Sequence, residues 1–447
     1  MAYLPNTSAE RLAMLEAIGA GSIDELFAMV PAELRLNRQL DLPPAMGELE
    51  LTAHMTELAA RNLPAGQTTC FLGGGSYDHF VPAVVDFVAA RSEFYTAYTP
   101  YQAEASQGTL QAMFEYQTLI TQLTGMDVSN ASLYDGASAA AEAVLMALDT
   151  TRRRRVVVAA TVHPEYRRVL ATYLANLDAE LVVVGTPEGT LSPADLERAL
   201  DDRTACVLVQ HPNFFGCLEP TREIGELAHK SGAPFIVAVD PISLGLLKRP
   251  SEYGADIVVA EGQPLGAPMS FGGPYLGILA CREQFIRRLP GRLVGQTTDR
   301  RGKRCFVLTL QTREQHIRRE KATSNICTNQ GLLALRATVY LAAMGPSGLR
   351  SVAELCLQKS RYALEQLTSS GVAQAAFSGP TFKEFVVRLG TGRLQQVLDS
   401  ARHEGILAGV PLAGWFPELS DCLLVAVTEK RTRSDIDRLV RVLATAT

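Results

Sequence analysis

The chain has 447 residues, 47% of them hydrophobic, and a net charge of −5 at pH 7, enough for two or three domains with sizeable buried cores. This acidic balance excludes a nucleic-acid binder built on a basic face, because the one basic run, "TRRRR" at 151–155, has no aromatic residue interleaved. No window reaches the roughly 18 apolar residues of a membrane span, and "MAYLPNTSAERLAMLEAIGA" lacks the layout of a signal peptide, so a cytoplasmic location is the default expectation.

Residues 1–70 are polar and apolar at helical spacing. "SAERLAMLEAIG" places Ser8 as a cap and ends on Gly19, and "SIDELFAMVPAEL" repeats the design with Ser22. The spacing predicts a helical N-terminal arm whose apolar faces need a surface to cover them. "FLGGGSYDHFVPAVV" (71–85) carries a glycine run without the spacing of a nucleotide phosphate loop. It reads as a tight approach between backbones.

"FYTAYTPYQAEASQGTLQAMFEYQ" (94–117) places Tyr95, Tyr98, Thr99, Tyr101, Gln102, Glu104, Ser106 and Gln107 in a loop broken by Pro100, with a helix starting after Gly108. Such a density of hydroxyls and amides suits contact with a polar ligand or a wet subunit interface. "NASLYDGASAAAEAVLMAL" (130–148) is a turn feeding a small-residue helix. Its start, near Gly136 and Ser138, could hold an anion, although Asp135 opposes one there.

From about 130 to 280 the pattern alternates. "VVVAA" (156–160), "LVVVG" (181–185), "ACVLVQ" (205–210), "PFIVAVD" (234–240) and "DIVVA" (256–260) are unbroken β-branched runs separated by amphipathic helical stretches. Such runs predict a mostly parallel sheet covered on both faces, the α/β class, with ligands bound beyond the carboxyl ends of the strands. His163, then His211 and Asn213, then Asp240 follow three of these runs. The last run leads into "AEGQPLGAPMSFGGPYLG" (260–277), a glycine- and proline-rich loop with no charge after Glu261. Past about 330, long helical patterns precede "FKEFVVRL", "LQQVLDSARHEG", "DCLLVAVTE" and "RSDIDRLVRVLAT", which predicts a smaller α+β domain. The expected division is 1–70, 71–330 and 331–447. Eight scattered cysteines without C-x-x-C or metal spacing to histidine read as reduced core thiols, and no metal is expected.

"LGGGSYDH", "YTPYQAEASQG", "NASLYDGASAAAEA", "HPNFFG", "DPISLG" and "EGQPLGAPMSFGGPYLG", in this order along nearly the whole chain, resemble the P proteins of the glycine cleavage system, and within them the first subunit of the two-subunit form. One departure is Ala103, where the family usually has proline. The resemblance implies a type I pyridoxal-phosphate transferase fold: a mostly parallel, seven-stranded type of sheet between helices, with a smaller C-terminal α+β domain and a helical N-terminal arm. It also implies decarboxylation of glycine, with the aminomethyl group passed to the lipoyl arm of the H protein.

That chemistry needs a lysine amine for the Schiff base and an aspartate for the pyridinium nitrogen. Asp240 stands where that aspartate would lie and His163 where a ring-stacking histidine would lie. The lysine should follow within 260–277, yet none occurs between Lys248 and Lys303, and Gln263 or Pro264 takes the place. Arginine is no substitute, since its guanidinium stays protonated. The sequence therefore predicts the non-anchoring half of a heteromeric enzyme, with pyridoxal phosphate bound covalently by a lysine-bearing second subunit in an α2β2 assembly. Tyr98, Tyr101 and Gln102 are the foremost contacts to the partner's site, and His163, Asp240, Gln263, Ser138 and Asn213 form a vestigial cofactor pocket. Two alternatives are a stand-alone type I enzyme, desulfurase- or aminotransferase-like, using Lys248 or Lys303, and a scaffold that takes no part in the chemistry.

Overall fold

The β-branched runs form strands because a sheet covered on both faces buries both alternating sets of side chains. In the computed structural model, which describes residues 6–36, 38–322, 324–390, 392 and 394–446, the seven-stranded sheet has the spatial order Val128–Ser129, Gly277–Cys281, Ile257–Glu261, Phe235–Val239, Thr204–His211, Arg155–Ala159, Glu180–Val184. The last five strands pair in parallel, and Gly277–Cys281 runs antiparallel to both its neighbours. Val156–Val158, Val207–Val209 and Ile257–Val259 are essentially inaccessible to solvent. Glu180–Val184, at the sheet edge, is partly exposed.

The helix Gly136–Thr151 lies against this sheet through Ala139, Ala140, Ala141 and Ala143. Small side chains let its backbone approach the strands closely. The loop 262–276 turns the chain from Ile257–Glu261 back into the antiparallel Gly277–Cys281. That strand, Val128–Ser129 and the hairpin Leu293–Thr298/Arg304–Thr309 are elements the β-branched runs do not announce.

Residues Met1–Leu63 and Pro64–Thr447 form two compact units. In the first, helices Ser8–Ala17 and Glu48–Ala60 bury no residue. The cap of the first helix is Thr7 rather than Ser8: its hydroxyl accepts from Glu10 N–H, and the Glu10 carboxylate accepts from Thr7 N–H in a reciprocal capping box. Ser22 does accept from Glu25 N–H, although only a short 3-10 turn, Asp24–Phe27, follows.

In the second unit, a four-stranded antiparallel sheet has the order Gln374–Ala375, Glu384–Arg388, Cys422–Ala426, Val410–Pro411. Its core joins Phe385, Val387, Leu423 and Val425 to Val397 and Ala401 of helix Leu394–His403 and to Leu439 and Leu443 of helix Arg433–Ala446. Helix Gly331–Ser369 breaks its helical dihedrals at Gly345, just before Pro346. It contains a window apolar enough to cross a membrane by length and composition, and its Ala334, Ala337, Tyr340 and Leu341 are core residues.

The two sheets meet through aromatic rings. Phe215 stacks on Phe377 with centroids 4.9 Å apart and meets Phe416 edge-on at 4.9 Å. Next to them Phe382 N–H donates to Gly216 O (3.1 Å) and Leu218 N–H to Pro380 O (3.0 Å). Gly216, at φ 82°, is required here, because a Cβ would run into the backbone of Glu384. Residues 380–384 thus cross the carboxyl edge of the seven-stranded sheet.

Candidate functional site

Strand ends supply polar groups where the sheet stops pairing. Asp240, directly after Phe235–Val239, accepts Ile242 N–H with Oδ1 (3.1 Å). Its Oδ2 lies 2.8 Å from Nζ of Lys383, and the two side chains are 10% and 1% exposed. The ammonium also sits 3.1 Å from His79 Nε2 and 3.4 Å from the centroid of the Tyr77 ring. An ammonium can only donate, so His79 Nε2 accepts and its proton resides on Nδ1, which donates to Glu429 Oε2 at 2.6 Å.

Burial, reinforced by the Lys383 charge, holds the His79 imidazolium below its usual range. Burial would raise Glu429, but the His79 hydrogen bond and Phe80 N–H hold it down at about 2. Beside this chain, Glu384 accepts Gly74 N–H and the Tyr77 hydroxyl, both at 2.7 Å, and burial pushes its carboxyl up to about 7. His79, Glu429 and Cys356 have ligand atoms within 4.8 Å of one another. Both ring nitrogens of His79 are nevertheless engaged, by Lys383 and Glu429.

His163 is the N-cap of helix Pro164–Leu174. Its Nδ1 accepts Glu165 N–H (3.0 Å), so Nε2 carries the proton and donates to Gly74 O (2.7 Å). Burial lowers its pKa, and its ring stacks on Tyr166 at 5.0 Å and 19°. Ser138 and Asp135 satisfy each other in a capping box at the start of Gly136–Thr151. The free Gly136 N–H donates instead to Glu261 Oε2 (3.0 Å), while Glu261 Oε1 takes Gln263 and Leu276 N–H. Gln263 grips Tyr77, accepting its N–H (2.9 Å) and donating to its carbonyl (3.0 Å).

His163, Asp240, Tyr166, Glu261 and Lys383 therefore surround one cavity of about 30 Å³. Gln263 closes the loop beside it. Asn213 stands apart, its amide bonded to Gly189 O and Glu219 and its carbonyl to Phe215 and Cys217 N–H. Lys383, Tyr166, His79 and Glu429 carry no sequence signal for this place.

The loop 94–107 is pinned at three points. Thr99 Oγ1 accepts from Thr328 Oγ1 (3.2 Å). Arg292 stacks its guanidinium 4.8 Å from the Tyr101 ring and donates to its hydroxyl (3.2 Å), being itself held by the buried Glu314 at 2.8 Å. Gln107 exchanges two hydrogen bonds with the backbone of Phe306 and is already helical, so the helix is Gln107–Thr124 rather than one beginning after Gly108. On this loop Tyr95, Tyr98 and Tyr101 are 58%, 85% and 59% exposed. Gln102 and Glu104 are exposed and Ser106 is half-buried. Tyr95, Tyr98 and Thr99 line a second cavity, about 400 Å³, with Cys327 and the buried Tyr116, whose hydroxyl has no partner among the described residues.

A family model described as "Glycine cleavage system P-protein" matches residues 1–443. The chain belongs to this family. A relative named "Probable glycine dehydrogenase (decarboxylating) subunit 1" from Carboxydothermus hydrogenoformans is 56% identical over 443 residues, 99% of each chain. One of the same name from Desulforamulus reducens is 53% identical over 98% of each. A crystal structure of glycine decarboxylase (P-protein) of the glycine cleavage system, in inhibitor-bound form, matches at 44% identity and a TM-score of 0.89 over 100% of both chains. A Lactobacillus brevis glutamate decarboxylase shares the fold alone, at 13% identity and a TM-score of 0.69 over 93% of this chain and 96% of that one. The fold is that of type I pyridoxal-phosphate enzymes, as the sequence motifs imply. The relatives' designation as subunit 1 also implies a second subunit.

Pyridoxal phosphate, which this fold implies, does not fit the side chains of this chain's own pocket. Small-ligand sites run to about 300–1,000 Å³, an order of magnitude above the cavity here. The loop beside the cavity offers an amide, Gln263, where an amine is needed, and Asp240 already has its cation.

Proposed function

We propose that this chain is the cofactor-free half of a two-subunit glycine decarboxylase. A lysine-bearing second subunit holds pyridoxal phosphate, which supplies the electron sink for the carbanion left as carbon dioxide departs. The aminomethyl group passes to the lipoyl arm of the H protein, and the subunits assemble as α2β2.

The exposed, pinned loop 94–107 carries this reading. Three tyrosines stand in solvent on a base fixed by Thr328, Arg292 and Phe306, although burying aromatic rings is favourable. A rigid segment that presents hydroxyls and the Gln102 amide outward is suited to complete a neighbour's site. There Tyr98, Tyr101 and Gln102 orient the glycine carboxylate, the cofactor or the lipoyl arm, a contribution through positioning. The remaining polar groups of the segment, Tyr95, Thr99, Glu104, Ser106 and Gln107, shape it.

The test is exchange of the glycine carboxyl group with labelled bicarbonate by the reconstituted two-subunit enzyme and H protein. Tyr98→Ala, Tyr101→Ala and Gln102→Ala should lower the rate while the complex still assembles. An unchanged rate in an intact complex would establish the scaffold reading instead.

A further inference from the structure

Pyridoxal phosphate offers a protein three handles: a flat ring, a cationic ring nitrogen and a phosphate dianion. Lack of the Schiff-base lysine removes the covalent bond but leaves these three, so a lysine-free pocket could still bind the molecule. In this chain each complementary group already faces a side chain of the same chain. His163, placed to stack on a ring, stacks on Tyr166 at 5.0 Å and 19°. Asp240, placed to pair with a ring nitrogen, pairs with Lys383 at 2.8 Å. Gly136 N–H, at a helix start suited to an anion, donates to the Glu261 carboxyl at 3.0 Å.

We propose that this pocket is a self-liganded cofactor site, in which Tyr166, Lys383 and Glu261 stand in for the ring, the ring-nitrogen cation and the phosphate. These three residues direct pyridoxal phosphate away from this chain even without the covalent anchor. Two of them act from a distance in sequence. Lys383 reaches the sheet edge because residues 380–384 cross Gly216 and Leu218. Glu261 ends its strand beside Gly136, where a Cβ would meet the Tyr166 hydroxyl and the Glu261 backbone. What space remains, about 30 Å³, is of the order of one water.

The arrangement makes ion-specific predictions for the full-length chain purified without its partner, studied at pH 8. Lys383→Ala leaves the Asp240 carboxylate facing a hole shaped for an alkylammonium. Added propylammonium should raise its thermal midpoint by several degrees, and should fail to do so in Lys383→Ala/Asp240→Asn. Glu261→Ala leaves the N–H groups of Gly136, Gln263 and Leu276 without an acceptor, and inorganic phosphate should raise its midpoint likewise. The wild-type chain should respond to neither ion. In equilibrium dialysis it should take up no pyridoxamine phosphate, which has all three handles and no aldehyde to react with surface lysines.

Saturable uptake of one pyridoxamine phosphate per wild-type chain, lost in Asp240→Asn, would overturn the proposal. So would folded Lys383→Ala and Glu261→Ala chains indifferent to their ions. If both substituted chains fail to fold, the wild-type dialysis decides alone. None of these measurements involves glycine turnover, so they are separate from the reading of loop 94–107.

Discussion

Lys383 and Asp240, 143 positions apart in the chain, form an ion pair of 2.8 Å between the edges of two different sheets, with both side chains almost wholly removed from water. Taking two charges out of water is costly, and a pair of this kind stabilises mainly by not being broken. Lys383→Met should therefore destabilise the chain by about 3–5 kcal/mol, since it strands the Asp240 carboxylate. Asp240→Asn added to Lys383→Met should recover most of the loss. Urea unfolding of Lys383→Met, of Asp240→Asn alone and of the double variant checks this, and full additivity of the two single losses would contradict the coupling.

Arg292 holds Tyr101 by stacking and by one hydrogen bond, and Glu314 holds Arg292. Arg292→Met should loosen the loop 94–107 and lower glycine–bicarbonate exchange by about tenfold or more, in line with the cost of misplacing a positioning group. Arg292→Lys should rescue little, because an ammonium cannot both stack on the ring and keep the guanidinium's fork of donors. Tyr101→Phe keeps the ring contact and loses only the hydroxyl, so its effect should be the smallest of the three. Steady-state exchange rates, with assembly followed by gel filtration, give the order.

The parallel strands were legible because their signal is local: "VVV" at 156–158 and "IVV" at 257–259 are buried on both faces and say so in composition alone. Asp240 and His163 were legible for a related reason, lying just past the ends of such runs. Lys383 was not. It sits in "TFKEFVVRL", where a lysine ahead of a half-buried strand reads as solvated, and only the crossing of residues 380–384 over Gly216 turns it inward. Glu261 reads as the first polar residue of a loop, and its contact with Gly136 depends on strand register across the sheet. Pairings set by long-range register leave no period in the sequence.

Glu384 gives a pH dependence with a definite sign. Burial pushes its folded-state carboxyl up to about 7, against an unfolded value near 4.3. A raised acid contributes stability that is complete below the unfolded value and is lost as pH rises through the folded one. Between about pH 4.3 and pH 7 the wild-type chain should thus lose stability relative to Glu384→Gln, which does not titrate. The difference between the two unfolding free energies, measured at half-unit steps of pH, should fall across that window and level off above it. A flat difference would mean that Tyr77 and Gly74 keep Glu384 ionised throughout.

The cysteines separate by access. All eight are free thiols, and only Cys305 and Cys327 are even partly accessible. Burial pushes Cys206, Cys217 and Cys281 up to about 12, which leaves almost no thiolate to react at neutral pH. A thiol reagent added to the native chain should therefore modify two groups quickly and the other six only on unfolding. Cys327 lines the same 400 Å³ cavity as Tyr95 and Tyr98. If the loop 94–107 faces the second subunit, complex formation should slow modification of Cys327. Cys305, on the hairpin strand Arg304–Thr309, is the internal reference for that measurement. Equal rates at Cys327 with and without the second subunit would place this face of the chain outside the interface, and with it Tyr98.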